Sequence, residues 1–145
     1  MAEPRIREAQ PGDVAAIRAL LSQCRLPLDG VPEDLAVLLT ASEGDRVIGV
    51  AGLELHEGEA LLRSVATAPD VRGSRIASRL CLELERRATE LGARRLHLLT
   101  ETAELFFAKR GYRTIPREAA PEGVSKAREF SGICPASAVL MVRRL

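Results

Sequence analysis

The run Leu61–Thr100, LLRSVATAPDVRGSRIASRLCLELERRATELGARRLHLLT, constrains the fold more than any other stretch because it reads as strand, tight loop, long helix and strand in succession. The first strand must stop before Pro69, which has no N–H for a sheet ladder and biases Ala68 away from the helical region. Ile76, Ala77, Leu80, Cys81, Leu84, Ala88 and Leu91 then fall on one face of a 3.6-residue period, and Gly92 stands where a left-handed C-terminal cap is wanted. The strand that follows, Leu96–Thr100, is reached by a right-handed crossover and so lies parallel to the first in a mixed sheet.

The start of that helix is electrostatically inverted. Arg72, Arg75 and Arg79 recur around the positive end of the macrodipole, where a cation costs roughly 0.3–1 kcal/mol. A lone arginine there would simply splay into water. Three of them beside Gly73 and Ser74 make sense if an anion docks on the backbone N–H groups of Gly73 to Ala77, and a phosphate is the obvious candidate.

Composition bounds what else the chain can do. Its 145 residues are the size of one domain, so residues 1–145 are expected to form a single unit. A net charge of +1 gives no field favouring nucleic acid or an anionic membrane, and three Phe plus one Tyr are too few for base-stacking platforms. Cys24, Cys81 and Cys134 have no CxxC spacing and only His56 and His97 accompany them, so neither a disulfide framework nor a metal site is written here. These cysteines and His97 read as structural residues in a reduced, cytoplasmic compartment. MAEPRIRE has no apolar run of the signal-peptide kind, and nothing approaches the ~20 apolar residues of a membrane span.

The remaining elements follow in order. Arg5–Glu8 reads as a strand, and Pro11-Gly12-Asp13 opens a helix with Val14, Ile17, Leu20 and Leu21 on its apolar face. Pro32 is placed to start a short helix over Glu33–Val37. Leu38–Glu43, Arg46–His56 and Glu59–Ala68 are strand-like runs joined through Gly44-Asp45 and Glu57-Gly58, the pattern of antiparallel hairpins. After a short helix over Thr102–Lys109 come a strand to Ile115, a helix from Pro121 to Phe130 and a last strand, Ser137–Val142. The expected architecture is α/β, with a central mixed sheet of about six or seven strands flanked by helices on both faces.

Val65, Pro69, Arg72, Gly73, Ile76 and Ala77 resemble the acetyl-CoA-binding motif of the GNAT acetyltransferase superfamily, V-x-x-x-P followed by [QR]-x-x-G-x-[GA]. TAELFFAKRGYR resembles the second signature of that superfamily, with Phe106, Gly111 and Tyr112 in place. The resemblance implies a GNAT-like fold whose loop amides hold the coenzyme A pyrophosphate and whose splayed strand holds the acetyl carbonyl. Carried over position by position, the cofactor residues are Val65, Ala66, Arg72, Gly73, Ser74, Arg75, Ile76, Ala77 and Phe107. The sequence departs from the pattern at Arg75, where the family has a glycine, and at Phe107, where many members carry a tyrosine that protonates the departing sulfur. A thiol of pKa near ~8.5 is a tolerable leaving group as its anion, so losing that acid costs at most roughly 100-fold to 10,000-fold. LLTETAELFFAKRGYR and AAPEGVSKAREFSGICPASAVLM resemble a narrower group, GNAT proteins encoded among bacterial arsenic-resistance genes.

Acyl transfer to an amine needs an oxyanion donor and a base for an ammonium of pKa near ~10. The resemblance puts the donor at the Val65 amide, with Ser64 beside it. Glu54, His56 and Glu101 are the base candidates, with Glu101 preferred because it directly follows a parallel strand. Glu54 and His56 share one sheet face and also fit plain strand alternation. The expected function is N-acetylation of a small-molecule amine from acetyl-CoA without a metal, possible links to arsenic resistance resting on the narrower resemblance. The expected partners include no nucleic acid and no membrane, and a homodimer is left open. Arg75 and Phe107 keep a second reading in view, a sensor that binds acetyl-CoA without turnover, and a cofactor-free interaction domain is a third.

Overall fold

The computed structural model describes residues 4–127 and 137–145. Seven strands, β1 (Arg5–Glu8), β2 (Val37–Glu43), β3 (Arg46–His56), β4 (Glu59–Thr67), β5 (Arg95–Thr100), β6 (Arg113–Ile115) and β7 (Val139–Arg144), form one sheet in the order β1-β2-β3-β4-β5-β7-β6. Only β4 and β5 are parallel. The helices are α1 (Val14–Gln23), α2 (Ile76–Glu90), α3 (Glu104–Lys109) and α4 (Glu122–Ser125). Both hairpin turns use the expected residues: Gly44 has φ +60°, and Glu57 and Gly58 are both left-handed, as a two-residue connection between twisted strands requires.

Helix α2 lies on the face of β3 that carries Gly49, where a Cβ would stand 2.8 Å from Ile76 Cγ2 and 3.0 Å from Leu80 Cδ1. Its buried stripe is Ile76, Leu80, Cys81, Leu84 and Ala88. Leu91, expected on that stripe, is 51 % exposed because the helix closes before it. Gly92 at φ +87° lets its own N–H and that of Ala93 turn back to Thr89 O and Ala88 O, the Schellman closure. The opposite face, carrying Gly52, Glu54 and Leu61, is covered by Leu35 and by Val124 and Ala127 around α4. α1 lies against β3 and β4.

Three expected boundaries move. No helix forms over Glu33–Val37: Val37 belongs to β2, and residues 29–34 make successive turns, Asp34 N–H reaching Gly30 O and Leu35 N–H reaching Pro32 O. The helix expected from Pro121 ends at Ser125, where Ala127 N–H bonds Val124 O, and residues 128–130 lie outside the described residues. The last strand runs Val139–Arg144, because β5 pairs with it out to Arg95–Arg144 and Leu145 N–H bonds Arg94 O.

Two polar clusters fix the packing. Buried Glu85 of α2 accepts from Tyr112 Oη at 2.8 Å, Arg110 Nη2 at 3.1 Å and Arg143 Nη1 at 3.0 Å, tying α2 to the end of α3 and to β7. Burial and the adjoining Glu85 carboxylate push the Tyr112 hydroxyl well up, so it remains a donor. Near the N-terminus, Asp13 accepts both Arg7 nitrogens, at 2.7 and 3.0 Å, and the Gln10 N–H at 2.8 Å, which holds its carboxyl at about 2.

Glu85→Ala leaves the buried Tyr112 hydroxyl and the partly exposed Arg110 and Arg143 guanidiniums without their acceptor and should destabilise the fold by about 2 kcal/mol in urea unfolding. Asp13 has a lowered folded-state pKa, so its contribution is present above its ordinary value of 3.8 and disappears as pH falls toward 2. Acid titration of stability should therefore show the parent losing its advantage over Asp13→Asn across that window.

Candidate functional site

The parallel pair β4–β5 is in register at Glu59–Arg95, Ala60–Leu96 and Leu61–His97, and pairs no further. Arg95 Nε bonds Glu59 Oε1 at 2.6 Å, and His97 Nδ1 lies 3.3 Å from Ala60 O at this closed end. Burial lowers the His97 pKa, so the ring stays neutral, as expected of a structural histidine. Beyond Leu61 the strands separate around a cleft of about 1060 Å³, with Arg63, Ser64 and Val65 on one side and Leu99, Thr100 and Glu101 on the other. The β5-facing backbone groups of this half of β4 have no ladder partner on β5.

The separation begins at a β-bulge. β3 pairs with β4 at Gly52–Arg63 and again at Val50–Ala66, so Ser64 and Val65 together face the single Ala51. Ser64 takes φ +59°, the left-handed conformation of the first bulge residue. The bulge bends β4 away from β5 and brings both proposed oxyanion residues to the cleft.

Past Thr67 the chain makes the turn Pro69–Val71, pinned to β3 by Arg46, whose guanidinium bonds Asp70 at 2.9 and 2.7 Å. That contact lowers the Asp70 pKa. A second hollow of about 340 Å³ lies over the start of α2, lined by Arg72, Gly73, Arg75 and Ala77, and shares Thr67, Ala77 and Phe106 with the cleft. Gly73 has φ +89° with nothing within 4 Å of where a Cβ would sit, and no side chain caps the helix. The first N–H groups of α2 thus face this hollow without an intrahelical acceptor. Arg75 is the N-cap residue at φ 66° and ψ 15°: it adopts the left-handed conformation that the family pattern fills with glycine. Ile76 is 3 % exposed and packs on Gly49, so it can offer a ligand only its backbone.

The base candidates separate in the structure. Glu54 is locked between Arg63 Nη1 at 3.1 Å and His56 Nε2 at 2.8 Å and is 2 % exposed. Glu101 is exposed on the cleft and accepts a hydrogen bond from Ser137 Oγ. Phe107 lines the cleft from α3 and is buried in a T-shaped stack with Phe106 at 4.9 Å and Tyr112 at 5.4 Å. Phe106, which stands where cleft and hollow join, has Arg110 5.9 Å above its ring.

Sequence reasoning missed Cys24, Arg25 and Arg63 among the residues that line the cleft. Cys24, read as purely structural, lines the cleft, donates to Thr67 O at 3.5 Å and has Arg72 Nη2 3.6 Å away. Arg25 closes α1 in a Schellman turn, with its own N–H to Ser22 O and Leu26 N–H to Leu21 O, at φ 60° where glycine is usual. Cys81 fits the structural reading, its thiol pushed up to about 12 by burial, and Cys134 lies outside the described residues. Among the described residues no cluster could hold a metal ion, and no helix is long and apolar enough to cross a membrane.

The chain is 34% identical over 118 residues to an amino-acid acetyltransferase of Ralstonia nicotianae, a match covering 74% of this chain and 26% of the relative. It therefore spans about a quarter of that curated relative. Among solved structures, N-acetylglutamate synthase from Neisseria gonorrhoeae in complex with coenzyme A and N-acetyl-glutamate superposes with a TM-score of 0.84 at 23% identity, over 100% of this chain and 36% of the other. An acetyltransferase from Streptococcus agalactiae superposes with a TM-score of 0.80 at 20% identity, over 100% of both chains. At such identities these two likenesses speak for the fold. The model of the acetyltransferase (GNAT) family matches residues 9–112, most of this chain and all of the cleft-forming strands, loop and helix from β2 to α3, and the chain belongs to that family.

Proposed function

We propose that this domain is an N-acetyltransferase that moves the acetyl group of acetyl-CoA to the amine of a small molecule. The observation that carries the reading is the pair of adjoining hollows, one over the uncapped start of α2 and one in the gap between β4 and β5 beside the carboxylate of Glu101, which share Thr67, Ala77 and Phe106. The two differ chemically as the reaction requires: N–H groups and arginines suit phosphates, and a carboxylate suits an ammonium. Acetyl-CoA supplies an activated thioester when bound. The amides of Gly73 to Ala77 and the Arg72 and Arg75 guanidiniums hold its phosphates, Ala66 and Phe107 flank its arm, and the Val65 amide, with Ser64 beside it, serves as oxyanion donor. Glu101 takes the ammonium proton, directly or through a water. The neutral amine then attacks the thioester carbonyl; as the C–N bond forms and the C–S bond breaks, the sulfur leaves as thiolate because Phe107 has no proton to give, and the second amine proton passes to that thiolate or to water.

Thiol release with a panel of amino acids, polyamines, aminoglycosides and amine-bearing arsenicals tests the reading and identifies the acceptor. The arsenicals are included because of the likeness to the arsenic-resistance group. Glu101→Gln should lower the rate by roughly 100-fold or more. Tight acetyl-CoA binding with no thiol from any amine, unrescued by Phe107→Tyr, would replace the enzyme with a cofactor sensor.

Arg72→Ala should weaken acetyl-CoA about ten-fold to a hundred-fold by calorimetry, the worth of a charge-assisted contact. Arg75→Gly should act in two directions at once. It relieves a left-handed arginine worth about 1 kcal/mol, raising the thermal midpoint by about 3 °C, and it loosens acetyl-CoA because a guanidinium is lost from the phosphate hollow.

A further inference from the structure

The segment Leu26–Leu35 forms no helix or strand, yet Leu26, Pro27 and Asp29 line the cleft and not the phosphate hollow. Besides its own turn bonds, such as Val31 N–H to Leu28 O and Asp34 N–H to Gly30 O, two arginines hold it. Arg18 of α1 donates through Nη1 to Leu28 O at 3.1 Å and to Val31 O at 2.7 Å. Arg63 of β4 donates through Nη2 to Asp29 O at 2.6 Å, through Nε to Ser64 Oγ at 3.1 Å and through Nη1 to Glu54 Oε2 at 3.1 Å. The Arg63 side chain is 0% exposed and that of Glu54 3%.

Removing both charges from water is costly, and a pair serving stability alone would be matched or bettered by apolar side chains of similar volume. What apolar side chains could not reproduce is the fork. Its planar donors point in three fixed directions, and two of them reach the left-handed bulge residue and the backbone of the Leu26–Leu35 wall. These are the two surfaces between which acetyl group and amine would meet. We infer that Arg63 is a positioning residue for the transfer proposed above: its guanidinium couples the wall Leu26–Leu35 to the bulge at Ser64, fixing the spacing between the acetyl-binding strand and the acceptor. A misplacement of about 1 Å at a reacting centre costs on the order of a hundred-fold in rate.

The test compares the parent with Arg63→Lys, which keeps a charge against Glu54 but loses the fork, and with the double variant Glu54→Leu/Arg63→Met, which replaces the pair by apolar groups. Acetyl-CoA affinity is read by calorimetry, kcat by thiol release with the best amine of the panel, and order in residues 26–35 by hydrogen exchange with and without acetyl-CoA. Expected are acetyl-CoA affinities within about three-fold of the parent, a kcat lower by about a hundred-fold, and faster exchange in 26–35 that acetyl-CoA no longer slows. Folded variants with the parent's kcat and exchange would reduce Arg63 to a structural ion pair, and if the double variant does not fold, Arg63→Lys decides. Should the parent bind acetyl-CoA yet acetylate no amine, the enzyme reading fails while the coupling is still judged by exchange. Protection of 26–35 by acetyl-CoA in the parent and not in Arg63→Lys upholds it, and equal or no protection overturns it. A parent that does not bind acetyl-CoA overturns both.

Discussion

The cleft depends on a parallel strand pair that stops pairing after three residues. An interrupted ladder is expensive, since a buried N–H or C=O left without a partner costs roughly 1–3 kcal/mol. Here the interruption is accompanied by one extra residue in β4, Ser64 and Val65 standing opposite Ala51 just past the last pair, Leu61–His97, and a bulge bends and twists the strand that carries it. At the other end of the same strands, the Glu59–Arg95 contact and the neutral, buried His97 keep them together. The two strands are therefore held together at one end and apart at the other, and the cleft lies along the open half.

Strain is distributed to match. Among the described residues four other than glycine have positive φ: Arg25, Glu57, Ser64 and Arg75. Glu57 sits in a hairpin turn that demands it. The other three line the cleft or the phosphate hollow, one at the end of α1, one in the bulge and one at the start of α2. Each costs about 1 kcal/mol or more relative to glycine, and each persists because neighbouring contacts over-determine it. Arg63 fixes Ser64, the Schellman bonds fix Arg25, and the packing of Ile76 and Leu80 onto Gly49 fixes where α2 must begin. The α2 geometry also explains why the arginine-rich helix start is tolerated: its apolar face is buried so completely that the helix needs no favourable dipole interactions of its own.

The elements around this frame were legible because each has a local cause. Pro69, the spacing of Ile76, Leu80, Leu84 and Ala88, and the caps at Gly92 and Gly111 are properties of neighbouring residues, and so are the hairpin turns at Gly44 and Gly58. The same locality made the cleft-side loop Arg72–Ala77 readable. Where the reading slipped, a distant partner decided. No helix forms over Glu33–Val37 because Ala36 N–H bonds Leu53 O and Val37 pairs with Leu53 of β3, and β7 extends to Arg144 because β5 is there to pair with it.

The sequence by itself determined the order and type of the elements, the crossover, and the arginine-rich start of α2, since periodicity, proline and glycine act over a few residues. Which residues meet was settled only by the tertiary structure. The sequence favours Glu101 over Glu54 only because Glu101 directly follows a strand; in the structure burial between Arg63 and His56 occupies Glu54, while exposure on the cleft leaves Glu101 facing the gap. Likewise Cys24 and Arg25 are an unremarked helix end until α1 docks beside the bulge and turns them toward the cleft. Burial and direction of side chains are set by long-range packing, which no local pattern encodes.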